Sequence, residues 1–218
     1  MIKADLHVHT RYSIDSIMTN DQLIKACLKK GIDCIAVADH GTTRGARELS
    51  QLNPPLKIII CEEVLTPYGE VMGMFLKENI PDKISLPETL KLIRQQDGLV
   101  CIPHPFDRVR PSAFRNLAML ESIADDIDII EVFNSRSLTP GIEKKARDFA
   151  ARHNKVISAG TDAHSTLEIG YAHVTMRDFT TKEDFLASLA EAQLYGKKSS
   201  PLIHIISTSA RLWKKKVV

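Results

Sequence analysis

The chain has 218 residues, 44% apolar and 26% charged, with a net charge of +2. That length and balance fit one domain with a real core, and they exclude a disordered segment or a disulfide scaffold. The near-neutral charge argues neither for nor against a nucleic-acid partner, and no apolar run reaches the ~18–20 residues needed to span a bilayer.

In chain order, short apolar runs alternate with amphipathic stretches. They predict strands over Ile2–His7, Cys34–Ala38, Lys57–Cys61, Leu99–Ile102, Ile127–Phe133 and Val156–Ala159. A helix capped by Thr19 or Asn20 runs to Lys30 and stops at Gly31. Pro87 suits the first turn of another, which ends before Asp97-Gly98 turns into the next strand. Gly141–His153 and a stretch opening at Thr181 are two more, the last with the look of a capping box. Tyr68-Gly69, between Glu63 and Leu76, marks a hairpin. Repeated strand–helix units argue for an α/β fold with a parallel sheet closed into a barrel. Residues 1–218 read as a single domain, with the last ~20 residues a C-terminal extension whose Lys214-Lys215-Lys216 is a solvated end.

Cys27, Cys34, Cys61 and Cys101 lie in apolar contexts without close pairing, the pattern of buried free thiols in a cytoplasmic protein. The first strand begins at once, leaving no room for a signal peptide.

Metal-ligand residue types stand at the ends of the apolar runs. His7 and His9, two apart on a strand, share a face between Asp5 and Thr10. Asp39-His40 closes the run Ile35–Ala38; Asp39 could equally cap a following helix. Glu62-Glu63 closes the third strand, and alternation sends the two carboxylates to opposite sides without choosing between them. His104 is held between prolines, and Asp162 and His164 follow Gly160, which permits close backbone approach. Five of the eight histidines fall in these pieces. Buried carboxylates and imidazoles must be paired or bind metal, because burying even a neutral polar group unpaired costs about 2–7 kcal/mol. The set points to metal-assisted hydrolysis at the C-terminal ends of barrel strands.

These motifs, Asp5-x-His-x-His-Thr10, Asp39-His-Gly41, the glutamate position Cys61-Glu-Glu63, His104-Pro105 and Asp162-x-His164, resemble those of the PHP (polymerase and histidinol phosphatase) family in order and approximate spacing, from Ile2 to about Ser199. The resemblance implies a distorted (β/α)7 barrel with two or three divalent metal ions, zinc, manganese or iron, with magnesium also allowed. It selects Glu63 as a bridge. By similarity His7, His9, Glu63 and Asp162 hold one ion, Glu63 and His104 share a second, and Asp15, His40 and His164 hold a third. Cys61 stands where relatives have glycine, and Glu70 stands at the hairpin position where many relatives place a histidine on the second ion. Oxygen in place of nitrogen at Glu70 hardens the site.

The resemblance further implies hydrolysis of a phosphate ester. Asp39 is expected to orient a ligand or a water, and Arg11 to meet the phosphate as the catalytic cation. Arg44, Arg108, Arg110 and Arg136, with Asn134, are further expected substrate contacts, while Glu131 is a candidate structural carboxylate. His153, His173 and His204 read as ordinary. The expected substrate is a small phosphorylated metabolite or nucleotide. A short oligonucleotide is the alternative, disfavoured because no aromatic and basic run tracks a strand. A non-catalytic metal-stabilised module and an amidohydrolase-like barrel are two further readings; the last wants a metal-bridging lysine late in a strand, and none is so placed.

Overall fold

The first apolar run becomes β1 (Ile2–Val8), whose two edges are both paired, so the rest of the sheet grows outward from it. In chain order follow α1 (Asn20–Lys30), β2 (Cys34–His40), α2 (Arg44–Gln51), β3 (Lys57–Thr66), β4 (Gly69–Met74), α3 (Leu86–Gln95), β5 (Leu99–Ile102), α4 (Leu117–Ser122), β6 (Ile129–Asn134), α5 (Ile142–Arg152), β7 (Val156–Gly160), β8 (Ala172–Met176), α6 (Lys182–Ala190), β9 (Gln193–Gly196) and α7 (Ile203–Val217). The structure, a computed structural model, describes residues 1–217, with side chains through Lys214.

The strand order is β7-β6-β5-β4-β3-β2-β1-β8-β9. β1, β2 and β3 run parallel, as do β5, β6 and β7, and β4 is antiparallel between the two sets. The expected hairpin at Tyr68-Gly69 is β3–β4, and it sets one antiparallel strand within the otherwise parallel barrel. A two-residue turn at Tyr68 leaves no length for a crossover helix, so the chain must reverse there. At the far edge the end of β7 swings back to β1. The Asp162 N–H donates to the His7 carbonyl at 2.8 Å, and the His9 N–H donates to the Ala163 carbonyl at 3.0 Å. These bonds nearly close a barrel of β1 to β7, and the β8–β9 pair continues the sheet from the other edge of β1.

A barrel this small needs small interior residues, and Ala4, Cys34, Ala36, Ala38, Cys61 and Ala159 supply them around Met72 and Met74. Cys61 in the glycine position is thus a packed core residue. Outside, Ile35 and Val37 pack with Leu23, Cys27 and Leu49 from α1 and α2. All four cysteines are buried free thiols. Thr19 closes a reciprocal capping box with Gln22, and Gly31 ends α1 in the left-handed region. At α6 Thr181 caps the Asp184 N–H.

The C-terminal residues are not a solvated appendage. Lys214 Nζ donates to the carbonyls of Arg11, Ser13 and Ser16 at 2.5, 2.5 and 2.6 Å, fastening α7 across the loop after β1. The side chains of Lys215 and Lys216 lie outside the described residues. No helix among the described residues is long and apolar enough to cross a membrane.

Candidate metal centre

The pairing of β1 with β2 shifts register between Asp5 and Val8, and that of β6 with β7 shifts between Glu131 and Phe133. Such bulges re-aim side chains where strands end, and both lie at the rim that carries the cluster. His7 and His9 are fully buried, and their Nε2 atoms converge to 3.1 Å. Each ring is held from behind through Nδ1. His7 Nδ1 donates to Glu131 at 3.1 Å, and His9 Nδ1 donates to Ser13 Oγ at 2.9 Å. Ser13 Oγ in turn donates to Asp39 at 2.7 Å and accepts the His40 N–H at 3.1 Å. The network assigns the proton to Nδ1 in both rings and leaves the Nε2 lone pairs for a cation.

Glu63 sits at the centre. Its Oε1 lies 2.9 Å from His104 Nε2, and its Oε2 lies 3.4, 3.5 and 3.1 Å from His7 Nε2, His9 Nε2 and His40 Nδ1. Asp162 Oδ1 lies 3.1 Å from His9 Nε2 and 3.8 Å from His7 Nε2. Glu70 reaches His40 Nδ1 at 3.4 Å and His104 Nε2 at 3.6 Å. Asp15 Oδ1 lies 3.0 Å from His164 Nε2 and 3.6 Å from His40 Nε2. His164 Nδ1 lies 2.8 Å from the Asp162 carbonyl and against the Arg136 guanidinium, with Nε2 turned toward Asp15. His40 therefore offers one nitrogen to the Glu63–Glu70 pair and the other to Asp15. The nine residues expected as ligands all come together here, while Glu62 turns away and accepts the Ile80 N–H at 2.9 Å.

A cluster of divalent ions fits these residues. Asp15 Oδ1, Glu63 Oε2, Glu70 Oε2 and Asp162 Oδ1 are buried with no hydrogen-bond donor, although imidazole nitrogens face them. Donor atoms gather in overlapping sets: His7, His9 and Glu63; His7, His104 and Asp162; His40, Glu63 and Glu70; His9, His40 and His164. The electrostatics ask for positive charge. Burial disfavours charge on His40, yet Glu63, Asp15 and Glu70 outweigh it and raise its pKa to about 10. Burial also opposes ionisation of Glu63, but His7, His40 and the contact with His104 hold its pKa well below the usual carboxylate range. Burial and the neighbouring Glu63 push Glu70 upward. Four buried carboxylates thus hold positive charge on their imidazole neighbours, and divalent ions would meet the same demand in place of those protons. His104 (φ 30°) and Asp162 (φ 56°) have positive φ, a strain of about 1–3 kcal/mol each that their hydrogen bonds offset. The Glu131 Oε2 bond from the His104 N–H, at 2.7 Å, is one of these.

The cluster forms one wall of a cavity of about 500 Å³. Here several expectations are corrected. Arg11 is exposed, lies over the Tyr12 ring and does not line the cavity. Arg44 packs on the same ring and bonds Glu48 at 2.9 Å, because Tyr12 gives both guanidinium groups a surface partner. Arg108 lies in a separate depression with Phe106 and Arg115 and does not line the cavity. Asn134 is buried behind the cluster, donating to Glu131 at 3.0 Å and Asp162 at 3.3 Å. Asp39, expected to orient a ligand or a water, lies behind the cluster, accepting from the Thr10 N–H at 2.7 Å and Thr10 Oγ1 at 2.6 Å and reaching His9 through Ser13. Arg136 does line the cavity, lying against His164 and pairing with Glu168 at 3.3 Å. Arg110 lines it too and pairs with Asp162. His204, expected to be ordinary, is in the cavity wall with Ser207, Thr208 and Arg211 of α7. Ser13 and the α7 residues carried no signal in the sequence.

A nearly closed barrel with histidines and carboxylates converging at its strand ends is the arrangement of a barrel that can hold metal there. The PHP domain profile matches residues 5–79, and a PHP-associated profile matches residues 143–194. The uncharacterized protein MJ0417 of Methanocaldococcus jannaschii is 34% identical over 186 residues, covering 84% of this chain and 73% of that protein. A Bacteroides vulgatus structure described as a "two-domain protein containing predicted PHP-like metal-dependent phosphoesterase" superposes with a TM-score of 0.74 at 15% identity, over 96% of this chain and 69% of that one. An amidohydrolase from Chromobacterium violaceum, with bound sulfate and no metal, superposes with a TM-score of 0.62 at 14% identity, over 94% of this chain and 96% of that one. The chain belongs to the PHP family.

Proposed function

We propose that this protein is a metal-dependent phosphoesterase that hydrolyses a small phosphorylated metabolite or nucleotide at a site for two or three divalent ions. The observation that carries the reading is the set of buried, donorless carboxylate oxygens of Asp15, Glu63, Glu70 and Asp162 facing histidine nitrogens in the wall of a cavity. His7, His9, Glu63 and Asp162 hold one ion, Glu63, Glu70 and His104 a second, and Asp15, His40 and His164 a third. Bound there, divalent ions polarise a phosphoryl oxygen and acidify water. Carboxylates mixed with imidazoles suit manganese or iron, with zinc and magnesium also accommodated.

The chain's own groups do the positioning. Glu131 and Ser13 fix the rings of His7 and His9 with their Nε2 atoms forward. Arg110, bound to Asp162 and lining the cavity, places fixed positive charge where a phosphoryl group meets the cluster. Arg136 holds His164 and leaves the Asp162 carbonyl within 3.4 Å of its own Nη1. Ile14, Leu65, Val109 and Leu138 give the cavity apolar walls, and its volume is that of a small-molecule pocket. No lysine lines it among the described residues, which disfavours an amidohydrolase-type bridge. Four buried thiols support a reducing, cytoplasmic setting.

The test is phosphate release from a panel of phosphomonoesters, beside single-stranded RNA and DNA, with added manganese. Hydrolysis of small esters without strand cleavage is expected. Strand cleavage without ester hydrolysis would replace the small substrate with an oligonucleotide, and metal uptake without any turnover would indicate a non-catalytic module.

A further inference from the structure

The outward face of α7 is apolar and its cavity face is polar. Ile205, Leu212 and Trp213 are 60, 58 and 59% exposed, while His204, Ser207, Thr208 and Arg211 line the cavity. Those four stand at i, i+3, i+4 and i+7, a single helical stripe. Apolar packing alone would not choose this orientation. Polar bonds hold it: Arg136 Nη2 donates to Ser207 Oγ at 2.6 Å, and Lys214 grips three carbonyls of the loop that carries Asp15. The helix is thus tied to both sides of the cluster.

Two groups on this stripe are unspent. His204 Nε2 is buried and has no hydrogen-bond partner. Arg110 and Arg136 are engaged by Asp162 and Glu168, whereas Arg211 enters no ion pair among the described residues. A buried unmet imidazole nitrogen and an unpaired guanidinium, two turns apart on one cavity wall, together suit an anion able to accept from both.

We propose that His204 and Arg211 form a receptor for a second anionic group of the substrate, a carboxylate or a further phosphate, separate from the ester that meets the metal cluster. This deepens the phosphoesterase reading and rests on it for the placement of the first phosphate. It makes α7 the element that selects among phosphate esters, and it assigns the substrate class as esters with an anion at each end.

A matched pair of probes tests it: 3-phosphoglycerate carries a carboxylate that glycerol 3-phosphate lacks. Binding of each to the manganese-loaded protein is read from the emission of Trp213, the single tryptophan, two residues beyond Arg211, and checked by calorimetry. The wild type should prefer 3-phosphoglycerate by about tenfold, the scale of one charge-assisted bond. In R211Q the ratio should fall to about one, and R211K should recover part of it, with the unfolding temperature unchanged. Equal affinities in the wild type, or equal weakening of both probes in R211Q, would overturn the proposal. Phosphate release in the same samples separates the two claims. Preference without release sinks the hydrolase reading and keeps the receptor; release without preference does the reverse.

Discussion

One oxygen of Glu131 accepts from His7 Nδ1 at 3.1 Å, while its other oxygen accepts the His104 N–H at 2.7 Å. A single buried carboxylate thus orients His7 of β1 and His104 of the loop after β5. Glu131→Gln keeps the volume and removes the charge that keeps His7 Nδ1 protonated. Metal affinity, measured by titration calorimetry, should fall by about 10–100-fold with secondary structure intact. Unchanged affinity would mean that Glu131 is only a packing residue.

Gly45 of α2 lies against the pair that fixes the first motif. A Cβ there would meet Asp39 Oδ2 at 2.1 Å and Thr10 Oγ1 at 2.2 Å. Helix propensity alone would make Gly45→Ala stabilising by about 1 kcal/mol. Collision with a buried bonded pair reverses the sign, so urea denaturation should register a net loss of about 1–3 kcal/mol. A more stable variant would contradict the packing described here.

Burial raises the Glu62 pKa to about 8, outweighing the Ile80 N–H bond that lowers it. The folded protein therefore holds this proton more tightly than the unfolded chain. The associated stability is complete below the unfolded pKa, near 4.5, and is lost as pH rises through about 8. Glu62→Gln does not titrate. In chelator, its urea midpoint relative to wild type should climb steadily across that window, and a constant difference would refute the buried proton.

Removing metal should leave the Glu63–Glu70 pair uncompensated, since each carboxylate disfavours charge on the other. Thermal unfolding should therefore shift to lower temperature in chelator and recover with manganese, rising with the logarithm of its free concentration above the dissociation constant. Absence of any shift would argue against a cation at Glu63.

The clustering of these histidines and carboxylates is legible because such residue types are rare at the ends of buried runs, and the barrel because strand–helix units recur. The arginines were not. Chain position puts Arg11 and Arg44 near the site, but Tyr12 offers both a ring face outside it, and sequence does not encode which way a long side chain turns. The antiparallel β4 was visible only as a hairpin, without its consequence for the sheet. Ser13 is a small polar loop residue whose role depends on Asp39 lying opposite. α7 was hidden because its apolar residues face outward, the inverse of the pattern that marks a packed helix.

Phosphate release by the manganese-loaded protein, compared with Glu63→Gln at matched metal content, measures the role of the cluster itself. Glu63 touches His7, His9, His40 and His104, so its charge is the hub of the cluster. Turnover in the wild type should depend on metal and fall by at least about 100-fold in the variant, with the fold retained. Turnover that survives Glu63→Gln, or persists in chelator, would contradict that role.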